Sequence, residues 1–204
     1  MMKQAYRGVI AALMLMICAA WAASAAESAP VAQVRAAIDE ASPVFANKQI
    51  PPQEKDKQLR TIAEKYFDFG YMAKSAMGTH WKSLTPAQRK EIVPAVEDYV
   101  LATYLTTFQQ NTVEAASHAL KDDPKYDDPE TAAVPSEVHL AMVQDPLQVT
   151  YMLHKTGGKW MLYDIVVDNV STLGNYREQF NKIINADGFD KLLAGLKSKN
   201  LPRV

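Results

Sequence analysis

The sequence predicts an α+β fold, with helices packed on a twisted four-stranded antiparallel sheet and two further helices at the C-terminal end. Three observations carry that prediction. In the first half of the chain apolar residues recur at three and four positions, the period of one helix face. After Asn111 the period drops to two, as in a strand with one buried side. From Leu173 onward the helical period returns, broken at Gly188. Helices, then strands, then helices, without strict alternation, is the pattern of an α+β domain.

Each element has its own local reason. Val31, Val34, Ile38 and Ala41 mark the apolar face of a first helix, which Pro43 is expected to kink or end. After Pro51 and Pro52 a second helix shows Leu59, Ile62, Ala63 and Tyr66 on one side. Asp68 is placed to cap a short helix running toward Gly78, a residue suited to a helix C-terminus. "LTPAQRKEI" is the clearest start signal, with Thr85 as cap, Pro86 at the first helical position and Gln88 completing a capping box. That helix should reach about Gln110, with Ile92, Val96, Tyr99, Val100, Tyr104 and Phe108 on its apolar face and a local bend at Pro94. "TVEAASHAL", "VPSEVHLAMV", "LQVTYMLHK" and "WMLYDIVV" read as the four strands. "KDDPKYDDPE" reads as a loop and "TGGK" as a hairpin turn. Ser171 caps the next helix, lined by Leu173, Tyr176, Phe180 and Ile183. Phe189, Leu192, Leu193 and Leu196 line the last one.

The N-terminus points to export. Lys3 and Arg7 precede an unbroken apolar run from Val9 to Trp21, followed by the small residues "AASAAES". Basic, apolar and small-residue segments in that order form a secretory signal peptide, here residues 1–26. The apolar run is short of the roughly 20 residues that span a bilayer. Residues 27–204 then form one domain, enough chain for a sizeable core. The single cysteine, Cys18, leaves with the signal, so the mature chain can form no disulfide. Its twenty basic and twenty-three acidic residues give a net charge of −3, which does not match the basic surface of a nucleic-acid-binding protein.

No residue pattern announces chemistry. His80, His118, His139 and His154 lack the spacing of a helical metal site, although the last three fall in predicted strands and could converge. Asp122, Asp123, Asp127 and Asp128 lack the glycine and spacing of a calcium loop. Asp164 stands within an apolar strand, where an unpaired carboxylate is costly. It reads either as a structural acid, paired with a cation such as Arg177 or capping a helix, or as a general base in an apolar pocket. Leu147, Val149, Tyr151 and Leu153 alternate on one strand. Trp160, Leu162 and Val166 alternate on the next, with Met161, Tyr163, Ile165 and Val167 on its other face. Together with Tyr99, Tyr104, Phe108, Tyr176 and Phe180 they suit an ordinary core, or a core left open as a cavity for an apolar ligand.

Three blocks of sequence bear on that choice. The first is "YDIVVDNVSTLGNYREQFNKIINADGFDKLLAGLKSK", with Tyr163-Asp164, Val170-Ser171, Asn175-Tyr176-Arg177, Gln179-Phe180 and Asp187-Gly188-Phe189. The second is "YFDFGYMAKSAMGTHWKSLTPAQRKEI", with Phe67-Asp68-Phe69, Met72-Ala73, Gly78, Trp81, Thr85-Pro86 and Gln88-Arg89. The third is "GGKW" before the last strand. Together they resemble the MlaC family, periplasmic lipid-binding proteins also known as toluene-tolerance auxiliary components of ABC transporters. Pro94 and Asn169 depart from the family pattern, the latter standing where relatives often carry glycine. "YVLATYLTTF" is similar to a branch associated with hopanoid biosynthesis, HpnM, which leaves a hopanoid cargo open.

The resemblance implies a periplasmic phospholipid carrier rather than an enzyme, with no cofactor and acyl chains in an apolar pocket between sheet and helices. The residues expected to line it are Tyr99, Tyr104, Phe108, Val149, Tyr151, Leu153, Trp160, Leu162, Tyr176 and Phe180. Asp164 and Arg177 are expected to pair and hold the final strand–helix junction. The implied partners are an inner-membrane ABC-transporter complex bearing an MCE-domain protein and an outer-membrane lipoprotein–porin complex. The alternative without lipid is a cone-shaped isomerase using Asp164 as its base.

Overall fold

The computed structural model describes residues 28–110, 115–140 and 145–201. The predicted signal segment 1–26 lies outside the described residues. Helix α1 spans Ala29–Ala46, α2 Pro52–Tyr66 and α3 Phe69–Met77, followed by a 3-10 turn, Gly78–Ser83, and by α4, Pro86–Gln110. Six strands follow: β1 Ala115–Leu120, β2 Lys125–Asp128, β3 Thr131–Leu140, β4 Leu147–Thr156, β5 Lys159–Val167 and β6 Val170–Ser171. Helices α5, Thr172–Asp187, and α6, Phe189–Lys197, end the chain.

The local signals account for most boundaries. Thr85 and Gln88 exchange the capping-box contacts, Gln88 N donating to Thr85 Oγ1 and Thr85 N to Gln88 Oε1. Asp68 Oδ1 accepts from Tyr71 N at 2.8 Å and starts α3, and Gly78 ends it at φ +53°. Helix α1 runs through Pro43 to Ala46 instead of stopping there, one turn beyond the proline. Gly157 and Gly158 both take positive φ and close the β4–β5 hairpin, the requirement of a two-residue turn with the mirror-image twist. Asp168 and Asn169 do the same between β5 and β6, at φ +47° and +66°. Asparagine is among the few non-glycine residues that tolerate this region, so Asn169 holds the turn without a glycine.

The sheet is antiparallel in the order β1-β3-β4-β5-β6, with β2 on β3 beside β1. Among the described residues it therefore has six strands where the sequence predicts four. The two additions escape periodicity for different reasons. All four residues of β2 are exposed, so no apolar alternation marks it, and β6 is only two residues long. Pro135 occupies the stretch of β3 between its pairing with β1 and its pairing with β2, where the missing N–H removes no ladder bond on that edge.

Two buried clusters form. The larger is helical and joins Leu59 of α2, Met72 and Met77 of α3, Ile92, Val96 and Val100 of α4, Phe180 of α5 and Leu192 and Leu196 of α6. The smaller lies between helix and sheet, where Val31 and Val34 of α1 and Tyr66 of α2 meet Val134, Leu153 and Leu162. Tyr66 also donates to Glu40 at 2.7 Å, and Lys65 pairs with the same carboxylate, so α1 and α2 are tied by polar as well as apolar contacts.

The left-handed turn at Asn169 predicts its own mutational signature. Asn169→Gly should leave stability unchanged or slightly raised, whereas Asn169→Val should cost about 1–2 kcal/mol, the penalty of a side chain branched at Cβ at that φ. Urea unfolding of the three proteins checks this, and equal stability of all three would contradict the turn assignment.

Candidate functional site

A buried carboxylate organises the junction between sheet and C-terminal helices. Asp164 is 5% exposed. Its Oδ1 accepts from Ile165 N at 2.8 Å and Leu173 N at 2.9 Å, and its Oδ2 accepts from Ser171 Oγ. Ser171 Oγ in turn accepts from Gly174 N at 2.7 Å. The carboxylate and the hydroxyl thus satisfy two of the donors that the first turn of α5 leaves unpaired, and the negative charge sits at the positive end of that helix.

The expected pairing of Asp164 with Arg177 is not formed. Arg177 donates instead from Nε to the carbonyl oxygen of Ser75 at 2.9 Å, tying α5 to α3, and among the described residues no ion pair joins it to Asp164. The reason is geometric. The strand delivers Asp164 under the start of α5, while Arg177 stands on the exposed side of that helix.

A bulge in β5 changes which residues share a face. Leu153 pairs with Leu162 but Met152 pairs with Asp164, so Tyr163 is an extra residue on β5. Beyond it the alternation inverts. Ile165 and Val167 pair with Tyr151 and Val149 and share their face, whereas Val166 pairs with Thr150 on the opposite one. The sequence-based grouping of Val166 with Trp160 and Leu162 is corrected accordingly. Strict alternation cannot signal a bulge, because the inserted residue is itself apolar enough to fit either parity.

The ten residues expected to line the site divide into groups. Leu153 and Leu162 are fully buried in the helix–sheet cluster, with Tyr151 and Trp160 packed against it. Val149, 7% exposed, lies on the same face two residues from Tyr151. Phe180, 0% exposed, belongs to the helical cluster, with Tyr99 and Tyr176 against it. Tyr176 meets Tyr99 edge-on at 5.9 Å and Phe180 at 5.8 Å. Tyr104 and Phe108 lie on α4 where their side chains fall outside the described residues.

The sheet face also carries polar groups, among them Ser136, which the sequence did not single out. Ser136, 1% exposed, donates to the carbonyl of Val149 at 3.0 Å. Tyr151 places its hydroxyl 3.3 Å from Nε2 of His118 on β1. Burial pushes the Tyr151 phenol up to about 12. Burial and then the charge of Arg35 hold the His118 imidazole below its ordinary value. On the opposite face His154 meets Asp68 at 3.0 Å under the ring of Tyr71, 3.9 Å away between ring centres. His139 is exposed on β3. The three strand histidines therefore engage separate surroundings and do not converge. Cross-strand register brings Tyr151 to His118, and register could not be read from either strand alone.

A groove of about 760 Å³ opens elsewhere, between α3, the 3-10 turn and α5, and includes Tyr71, Lys74, Trp81, Lys82, Arg177 and Glu178.

Two outcomes follow from this geometry. Asp164→Asn should destabilise by about 1–3 kcal/mol, since it leaves buried donors facing an amide. In double-mutant cycles it should couple strongly with Ser171→Ala and add independently with Arg177→Ala. Coupling with arginine and additivity with serine would contradict the assigned network. The second concerns pH. An unfolded tyrosine ionises near pH 10, while folded Tyr151 holds its proton to about 12. The unfolded chain therefore loses this proton first, so the contribution is fully present below pH 10 and declines as pH rises toward 12. Melting temperatures across that window should fall less steeply for Tyr151→Phe than for the natural protein.

The comparisons with known proteins agree with this architecture. The family described as MlaC protein matches residues 35–198. The fold is similar to the solved structure of a phospholipid-binding protein from Ralstonia solanacearum in complex with a phospholipid. That likeness has a TM-score of 0.72 at 22% identity and covers 85% of this chain and 97% of the other. The family match spans most of the sequence and includes all three blocks that carried the resemblance, short only of Lys199 at the end of the C-terminal one. The chain belongs to the MlaC family.

Proposed function

We propose that this protein is a periplasmic lipid carrier whose cargo is a phospholipid. The observation that carries the reading is the family match over residues 35–198, supported by a fold shared with a protein solved around a phospholipid. The physical logic is that two acyl chains are insoluble, so crossing an aqueous compartment requires an apolar sleeve that removes them from water. The sheet face of Val149, Tyr151, Ile165 and Val167 supplies one wall of it. Leu153, Leu162 and Phe180, already packed against helices, hold the walls in place. Trp160, Tyr99 and Tyr176 stand at their margins.

In this reading the carrier exchanges lipid with an inner-membrane ABC-transporter complex bearing an MCE-domain protein, and with an outer-membrane lipoprotein–porin complex. Among the described residues no helix is long and apolar enough to cross a membrane. The isomerase alternative loses its support at Asp164, whose carboxylate already accepts three hydrogen bonds from its own chain. Such a group serves a helix start better than proton abstraction.

Organic extraction of protein purified without detergent, followed by mass spectrometry, should yield stoichiometric phospholipid. A hopanoid in its place would redirect the cargo, and protein that is folded but free of lipid would overturn the proposal. Val149→Trp should lower lipid per mole while leaving the melting temperature of delipidated protein near that of the natural chain, because the ring takes volume meant for an acyl chain. Val34→Trp, in the packed helix–sheet cluster, should instead cost about 1–3 kcal/mol through overpacking. Delipidation is needed because bound ligand raises apparent stability by mass action. If Val149→Trp melted several degrees lower and retained full lipid, its side chain would belong to a packed core.

A further inference from the structure

The groove between α3, the 3-10 turn and α5 contains none of the residues proposed for the lipid site. Its charge is uneven. Lys74 comes from the last turn of α3, Lys82 from the 3-10 turn, and Arg177 and Glu178 from α5. Lys74, Lys82 and Glu178 are exposed, and among the described residues their side chains make no hydrogen bond or ion pair. Arg177 uses Nε on Ser75, and its remaining N–H groups have no partner among the described residues. Three cations and one carboxylate therefore surround one concave volume. Protein walls of low dielectric focus such a field into the concavity.

The groove is also firmly built. Arg89 lies over the Trp81 ring at 5.4 Å and donates to the carbonyls of Trp81 at 3.1 Å and Lys82 at 3.3 Å, which anchors the 3-10 turn to α4. On the other side Tyr71 is held by its stack on His154. Two aromatic rings of fixed position and three cations that make no ion pair among the described residues are the composition of a recognition surface, in which aromatic and arginine side chains carry most of the contact energy.

We propose that this groove docks an acidic segment of a partner protein, its carboxylates at Lys74, Lys82 and Arg177 and an apolar side chain against Tyr71 and Trp81. Concavity favours a protein segment over a membrane surface, since a segment can enter the groove and a bilayer surface cannot follow it inward. The site stands whether or not the cargo is a phospholipid.

The test uses the full mature chain and a short labelled synthetic peptide in which Glu and Asp alternate with Leu and Phe, read by fluorescence anisotropy. The acidic peptide should bind saturably and more weakly as salt rises. A control peptide carrying Lys for each acid should not bind. Lys74→Glu combined with Lys82→Glu should weaken binding about tenfold or more. Lys191→Glu, on the exposed side of α6, should leave it unchanged, and Glu178→Lys should strengthen it. Lipid content measured on the same proteins should not change with any of these groove substitutions. Three results would overturn the proposal: no saturable binding of the acidic peptide, equal binding of the basic one, or indifference to charge reversal. So would co-sedimentation with phosphatidylglycerol vesicles that charge reversal abolishes while peptide binding is missing, because the surface would then belong to a membrane.

Discussion

A carboxylate placed in an apolar strand must find donors or destabilise the fold, and the solution to that constraint at Asp164 sets the geometry of the C-terminal half. The donors available are the unpaired N–H groups at the start of α5 and the hydroxyl of Ser171, so the helix has to begin directly above the strand that carries the acid. Gly174 fits the same arrangement. A Cβ there would come within 3.1 Å of Ser171 Oγ, pressing on the cap. The strand end, the two-residue turn at Asp168 and Asn169 and the first turn of α5 thus act as one unit, and α5 leaves the sheet in a defined direction with Phe180 turned into the helical core.

A second polar tie joins the helices to the sheet on the other side of the bulge in β5. Asp68 caps α3 with one oxygen and meets His154 with the other, while its N–H donates to the carbonyl of Leu162 at 2.8 Å. Both ties fall on either side of the bulge at Tyr163. The bulge lets one strand present Leu162 to the α1 cluster, Asp164 to α5, and Ile165 and Val167 to the face of Tyr151. A regular strand would have put Ile165 and Asp164 on the wrong sides. The irregularity is what allows a single strand to serve two packing partners and still contribute to the face proposed for cargo.

The remaining energetics are those of two cores sharing α2 and β5. Most of the burial is helix on helix, which leaves part of the sheet face to be covered by few elements. A face so placed, mixing Val149, Ile165 and Val167 with the polar Tyr151, His118 and Ser136, suits a ligand with both apolar and hydrogen-bonding parts. The groove proposed for docking lies among the helices instead, so the proposed cargo and partner would be read by different layers of the same domain.

Much of this was legible from the chain. Local chemistry sufficed for the caps at Asp68, Thr85 and Ser171, the glycine stops at Gly78 and Gly188, the hairpin at Gly157 and Gly158, and the helical and strand periods, because each depends on residues a few positions apart. Family blocks such as "YDIVVDNVS" were legible for the same reason, being continuous in sequence. What only the tertiary structure decided are the relations between distant residues. The choice of Ser171 and Leu173 over Arg177 as partners of Asp164 depends on where the strand ends relative to the helix axis. The meeting of Tyr151 with His118 depends on register, and the sharing of a face by Val149 and Val167 depends on one inserted residue. The division of the aromatic residues into two clusters depends on which helices pack together. Sequence periodicity says which side of an element is apolar. It does not say which of several apolar sides will face one another, because burial is non-directional and many pairings would satisfy it equally.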